Sequence, residues 1–371
     1  MKPLSLLIAV FCAVFGGQVP AAESPLLGTG ERIARRILTE DNIERNYRAD
    51  LALEALLELG SATGKPEYRA HVLSVLERRG VKPETRVPWR SQPFGCLTFA
   101  VFRATGDRAW LPGFLAETEL CRKEIRRSPE GAITHPRGAQ RGGGEALLID
   151  AMQAYAARMT DAGAVTGEAA WSREAVEQYN LYRSLLRDSR TGLWSQGRGW
   201  VGDQPAALSP GAWSRGHGWL LRGLTACLAE TPPDSAGHAR LRELLHEFFE
   251  ALAPLQKPDG MWPTLLHRPA SESPPDSSGT AMMAAAFSRA WREGWLPDPR
   301  ARDCARRAFA ALPGFVDADG IVLSTSPGPG PLESETDYLA TEFPPGNDHG
   351  TFAIIFAAAE SARLETAPAR H

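Results

Sequence analysis

The chain reads as an all-α protein, an (α/α)6 barrel of six helical hairpins, and three observations lead there. Apolar residues recur at helical spacing through most of residues 31–364, with no convincing alternation of strand type. The periodic stretches fall into twelve segments, which is six pairs. A short motif (a polar residue, a glycine and two apolar residues) also returns after successive pairs, as Glu130-Gly131-Ala132-Ile133, Thr191-Gly192-Leu193-Trp194, Asp259-Gly260-Met261-Trp262 and Asp319-Gly320-Ile321-Val322. Their spacings of 61, 68 and 60 residues match one hairpin plus a loop. Hairpins in series bury their apolar faces either by closing into a barrel or by stacking into an open solenoid.

The spacing predicts helices over 31–40, 44–60, 66–79, 92–104, 107–126 and 144–160. It continues with 171–187, 216–230, 235–255, 277–294, 299–312 and 349–364. The Pro/Ser-rich stretch 269–278 and the Pro/Gly-rich stretch 327–332 interrupt helices without dividing the chain, so residues 23–371 are expected to form one domain. Alternate helices share polar, glycine-rich starts: Gln92-Pro93-Phe94-Gly95, Gly142-Gly143-Gly144-Glu145, Arg215 to Trp219, Asp276-Ser277-Ser278-Gly279-Thr280 and Asn347-Asp348-His349-Gly350. In a hairpin barrel all inner helices start at one end. Their free N–H groups then converge where an anionic ligand is favoured, and the site is expected there.

Composition narrows the function. The chain has 371 residues, 43% of them hydrophobic, and a formal net charge of -3, which leaves no basic footprint for nucleic acid or an anionic membrane. Residues 1–22 resemble a secretory signal: Lys2, an apolar run from Leu4 to Val14, then Val19-Pro20-Ala21-Ala22. That run is short for a membrane span, so export to the periplasm or the medium is expected, with no stable membrane insertion. Cys96, Cys121, Cys227 and Cys304 are widely spaced, without a CxxC pair or an HExxH motif. No metal or other cofactor is therefore expected, and disulfide pairing and oligomeric state stay open.

The stretch Trp213-Ser214-Arg215-Gly216-His217-Gly218-Trp219, running into Leu220-Leu221, is the densest concentration of binding chemistry. Indoles stack on sugar rings, and a guanidinium grips a carboxylate with two parallel hydrogen bonds. The competing reading is a helix start whose tryptophans are core.

This stretch resembles the central signature of the unsaturated glucuronyl and rhamnogalacturonyl hydrolases, glycoside hydrolase families 88 and 105. Thr105-Gly106-Asp107, the run from Asp259-Gly260-Met261-Trp262 to Asp276-Ser277-Ser278-Gly279-Thr280-Ala281-Met282, and Asp348-His349-Gly350-Thr351-Phe352 are similar to other elements of that group. The resemblance implies the same barrel and an oligosaccharide substrate ending in a uronic acid with a C4=C5 double bond. An acid protonates C4, water adds at C5, and the hemiketal opens to release the sugar. One carboxyl that donates and then accepts a proton suffices, without the paired carboxylates of ordinary glycoside hydrolysis.

The resemblance places the acid near the start of the third inner helix, where Glu145 stands as the candidate catalytic residue. On the helix expected over 144–160, Glu145 shares a stripe with Ile149, Met152 and Ala156 and points inward, while Asp150 falls on the opposite, solvated stripe. A second family aspartate has no counterpart near Arg90-Ser91-Gln92, and a family histidine is replaced near Gln196. The substrate-binding candidates are Arg215, His217, Trp219, His135, Trp194, Gln196, Trp262 and His349. Two other readings remain open: an exo-hydrolase of saturated uronides pairing Glu145 with Asp203, Asp276 or Glu335, and a non-catalytic glycan-binding relative.

Overall fold

The computed structural model describes residues 24–40, 46–91, 94–135, 145–202 and 204–366. The expected signal segment, Gln92, Gly142 to Gly144 and Asp203 lie outside the described residues.

Six helices form an inner ring: α2 (Tyr47–Thr63), α4 (Leu97–Thr105), α6 (Ala157–Thr166), α8 (Ser214–Glu230), α10 (Ser277–Arg292) and α13 (Asp348–Thr366). Six lie outside them: α1 (Pro25–Thr39), α3 (Pro66–Arg78), α5 (Leu111–Glu124), α7 (Ala169–Leu186), α9 (Ala236–Leu252) and α11 (Pro299–Ala311). A short α12 (Glu335–Leu339) sits in the last long connection. The ring closes because α13 packs against both α10 and α2. This is the (α/α)6 barrel, and the open solenoid is set aside.

Burial separates the two rings. On α11 only one stripe is buried, Ala301, Cys304, Ala305, Ala308 and Phe309, at the spacing of an amphipathic helix. On α13 every residue from His349 to Ser361 is buried, as befits a helix surrounded by neighbours.

The internal repeat is a real structural unit. Gly131, Gly192, Gly260 and Gly320 all have positive φ, between 76° and 93°. Each turns the chain after an outer helix, closed by backbone bonds such as Asp188 N–H to Leu193 O and Asp317 N–H to Ile321 O. At Gly260 (φ 87°) an added Cβ would also lie 2.5 Å from the Arg307 carbonyl oxygen. Gly260→Ala should therefore cost roughly 2–4 kcal/mol by urea unfolding. Gly314→Ala, where nothing lies within 4 Å, should stay within about 0.5 kcal/mol of wild type. Equal effects at the two positions would refute this reading of the turn.

The largest departure from the expected elements lies at 144–160. Leu147–Leu148 is a two-residue strand, β1, paired antiparallel with β2 (Gly197–Arg198). Helix begins only at Ala151, with a π-helical turn over Met152–Ala156 before α6. The run Leu147-Leu148-Ile149 is apolar because it is buried in a strand and turn, and periodicity alone credits it to the helix.

Among the described residues no helix is long and apolar enough to cross a membrane, and no group of His, Cys, Asp or Glu is arranged to hold a metal ion. Cys96, Cys121, Cys227 and Cys304 are all free thiols.

Candidate active site

The inner helices start at one end of the barrel, and the polar starts of α8, α10 and α13 converge there. Asp150 directly precedes the third inner helix, next to its π-helical turn, a distortion common at functional sites. Its side chain is buried, and Oδ1 has no hydrogen-bond partner among the described residues. Burial pushes the carboxyl up to about 7, against the pull of the nearby Arg215 charge. Asp150 is thus a carboxyl that titrates near neutrality with one oxygen unspoken for.

Arg215, in the first turn of α8, is fully buried. One terminal nitrogen, Nη1, donates to Ser278 Oγ (3.1 Å), Ser326 Oγ (3.0 Å) and the Ser326 carbonyl, while Nη2 donates to the Pro327 carbonyl (2.9 Å). The guanidinium also lies over the Trp213 ring, 4.3 Å from its centroid. It ties α8 and α10 to the loop 324–330, in which Ser324 adopts φ 54°. Gly328 of that loop sits directly above: a Cβ there would be 3.4 Å from His349 Cε1 and 3.7 Å from Arg215 Nη2.

Asp276 caps α10. Its Oδ1 accepts from Ser278 N–H (3.0 Å), Ser278 Oγ (2.6 Å) and Gly279 N–H, and its Oδ2 accepts from Ser214 Oγ (3.2 Å). His349 accepts from Tyr47 OH at Nε2 (3.0 Å) and donates from Nδ1 to Asn347 Oδ1 (2.9 Å). Burial and the Arg215 charge hold its pKa well below the usual imidazole range, so the ring is neutral.

The sequence from residue 30 to 365 matches the profile of Glycosyl Hydrolase Family 88. The chain belongs to glycosyl hydrolase family 88. It is 31% identical over 173 residues to the Unsaturated 3S-rhamnoglycuronyl hydrolase of Alteromonas sp. (strain LOR), a stretch that is 45% of this chain and 35% of that protein. The chain thus matches about a third of that relative's length. A possible member of the GH105 family from Salmonella enterica superposes with a TM-score of 0.78 at 20% identity, covering 92% of this chain and 94% of that one. The unsaturated glucuronyl hydrolase of Bacillus sp. GL1, responsible for the degradation of glycosaminoglycan, superposes with a TM-score of 0.65 at 16% identity over 90% and 94%. These superpositions show the six-hairpin fold.

Within this family 88 barrel, several residues singled out from sequence do other work. Glu145 lies before β1, outside any helix, so the stripe with Ile149, Met152 and Ala156 does not exist. The solvated position expected for Asp150 is overturned by its burial. His217 is buried, accepts from the Trp194 backbone N–H at Nε2 (3.0 Å) and donates from Nδ1 to the Trp213 carbonyl (2.9 Å). Burial depresses its pKa to about 4, and it serves as a neutral clamp between the Gly192 turn and α8. Gly216 and Gly218 serve close packing, since added methyl groups would strike Ile149 and Met282.

The tryptophans divide similarly. Trp194 packs on Phe248 (ring centroids 5.0 Å apart), and Trp262 donates from Nε1 to the Leu252 carbonyl (2.8 Å), so both are core. Trp219 is stacked on Phe94 at 5.1 Å and tilted against Phe352, which leaves no face for a sugar. Gln196 spends both ends of its amide, donating to the Pro329 carbonyl (2.9 Å) and accepting from Tyr338 OH (2.5 Å). His135 is half-buried against Trp200 (5.4 Å), whose Nε1 donates to the Leu147 carbonyl. Tyr47 was not singled out for this end of the barrel on sequence, because it meets His349 of the last inner helix only through the ring closure.

Of the three partners of the paired-carboxylate reading, Asp203 lies outside the described residues and the other two are engaged elsewhere. Asp276 is fully engaged as a cap, and Glu335 is bound by His267 (2.8 Å) and Arg268.

Proposed function

We propose that this family 88 chain hydrates the C4=C5 double bond of a terminal unsaturated uronic acid on an oligosaccharide, with Asp150 as the acid. One observation carries the reading: a buried carboxyl, titrating near 7 and with one oxygen unpartnered among the described residues, at the helix starts that favour an anion. In its neutral form Asp150 gives a proton to C4. The resulting carboxylate then takes a proton from the water that adds at C5, and the hemiketal opens. Arg215 contributes fixed positive charge and holds the overlying loop, while Tyr47, His349, His135 and Trp200 border the space. The signal-like amino terminus supports export as part of the same proposal.

The test follows the double bond directly. Incubation with unsaturated disaccharides is expected to remove their ultraviolet absorbance, with a rate that falls as pH rises through about 7. Glu145→Gln should retain most of this activity. No loss of absorbance at any pH from about 4 to 8, a range bracketing the Asp150 titration, sinks the proposal. Abolition by Glu145→Gln alone would return the acid to that position.

A further inference from the structure

The barrel interior holds a second chamber, of about 390 Å³, beyond the aromatic layer that floors the Asp150 end. Tyr47, Phe94, Trp219 and Phe352 span the barrel with neighbouring ring centroids 5.0, 5.1 and 5.7 Å apart. The chamber is lined by residues further along the same helices, including Glu54 of α2, Arg222 of α8 and Phe356 of α13. Because the inner helices all run the same way, the chamber occupies the carboxy-terminal half of the barrel. It shares none of Asp150, Arg215 or His349.

Its chemistry is unbalanced. Six arginines face it against four carboxyls. Two of the carboxyls are already claimed, Glu58 by Arg363 (2.6 Å) and Glu360 by Arg363 (2.7 Å) and Arg292 (3.4 Å). Arg289 has no hydrogen bond or ion pair among the described residues, only the Trp295 ring at 5.6 Å. Arg222 lies over the Phe356 ring at 3.5 Å, its nearest acid being Glu54 at 3.9 Å. Glu54 Oε1 and Gln153 Oε1 are buried acceptors with no donor among the described residues. Burial raises Glu54 to about 8 and Asp161 to about 7, so both give up much of their charge near neutrality.

Helix dipoles explain part of this, since Arg289 and Arg292 of α10 and Arg363 of α13 sit in last turns, where cations are favoured. They do not explain Arg222 in the middle of α8 or the two acceptors, while Arg158 at the start of α6 is held by the Gly95 carbonyl (3.1 Å) and the Phe114 ring. Unmade hydrogen bonds at buried acceptors are costly, and their co-location with the half-buried guanidiniums of Arg222 and Arg289 marks a site shaped for something else. The volume is at the small end of ligand pockets and suits one sugar ring.

We propose that this chamber is a second binding site, separate from the Asp150 end, for a hydroxylated carboxylate of monosaccharide size. The carboxylate lies between Arg222 and Arg289, and hydroxyls donate to Glu54 Oε1 and Gln153 Oε1. Arg103, with its side chain 42% exposed, marks the way in. This assignment stands whether or not Asp150 is the catalytic acid.

Calorimetric titration of the full chain with D-glucuronate, and with glucose and sulfate as comparisons, tests it. Glucuronate should bind saturably and raise the melting temperature, and glucose should do neither. Arg289→Gln and Arg222→Gln should each weaken that binding roughly thirtyfold or more, while Asp150→Asn leaves this component intact. Arg289→Gln is expected to melt no lower than wild type without ligand, because that half-buried guanidinium has no hydrogen bond or ion pair among the described residues, whereas Arg222→Gln gives up the Glu54 pair and the Phe356 contact; if one fails to fold, the other carries the test. Absence of saturable glucuronate binding, or binding unchanged in both arginine variants, overturns the proposal. Sulfate binding as tight as glucuronate, insensitive to Glu54→Gln, overturns its sugar-acid identity.

Discussion

Asp150→Asn should abolish turnover and, above pH 7, give a more stable protein. The substitution keeps the shape of the side chain and removes its acidity, so kcat should fall by about 10³-fold or more, the scale of a general acid's contribution. Stability moves the other way for the same reason. The native state holds the Asp150 proton to about pH 7, whereas an unfolded aspartate releases it near its ordinary value of 3.8. Wild type therefore keeps the full benefit of the protonated carboxyl below that lower value and loses it progressively as pH rises through about 7. The asparagine variant has no proton to lose. Between pH 4 and pH 8 the variant should gain on wild type by roughly 4 kcal/mol, the worth of a three-unit shift. Taking the difference between the two proteins cancels the opposite slope from His217, whose folded pKa is depressed to about 4. Guanidinium unfolding at both pH values measures it. A pH-independent difference would mean that Asp150 is an ordinary solvated carboxylate, and retained turnover would remove it from the chemistry.

The contrast between Asp150 and Glu145 shows what a linear sequence carries. The barrel was legible because its cause is local and repeated: helical apolar stripes, and a left-handed glycine at each return, as at Gly192 and Gly260. The buried place of Asp150 was not, because it is decided by β1 pairing with β2, some fifty residues away. Leu147-Leu148-Ile149 fits a buried strand as well as a helix, and the choice moved the helix start past Glu145. The flanking pattern did hold a signal, since a carboxylate between Ile149 and Ala151-Met152 has apolar neighbours on both sides. The tryptophans and histidines were recognisable as types only. Whether Trp219 offers a face depends on Phe94 and Phe352, and His217 is committed by the Trp194 backbone, contacts that exist only once the ring has closed.

Arg215→Met should be the most destabilising single change at this end of the barrel, and its effect on catalysis should follow Asp150 rather than substrate charge. A buried guanidinium that satisfies Ser278, Ser326 and the Pro327 carbonyl leaves those acceptors stranded when it goes, at a cost of about 3–5 kcal/mol. Arg215→Lys should recover little, because one ammonium cannot reach acceptors spread across two guanidinium nitrogens. The same cation is the charge that pulls Asp150 down against burial. Without it the carboxyl holds its proton longer, and the falling limb of the pH–rate profile should move to higher pH in whatever fraction of Arg215→Met folds. A merely structural arginine would lower the melting temperature without moving that limb. An arginine that grips the uronate would instead raise KM for charged substrates alone, sparing stability and the profile. The buried geometry, with both terminal nitrogens already donating, favours the electrostatic partner: a large loss of stability, a displaced limb, and equal KM changes on charged and neutral analogues.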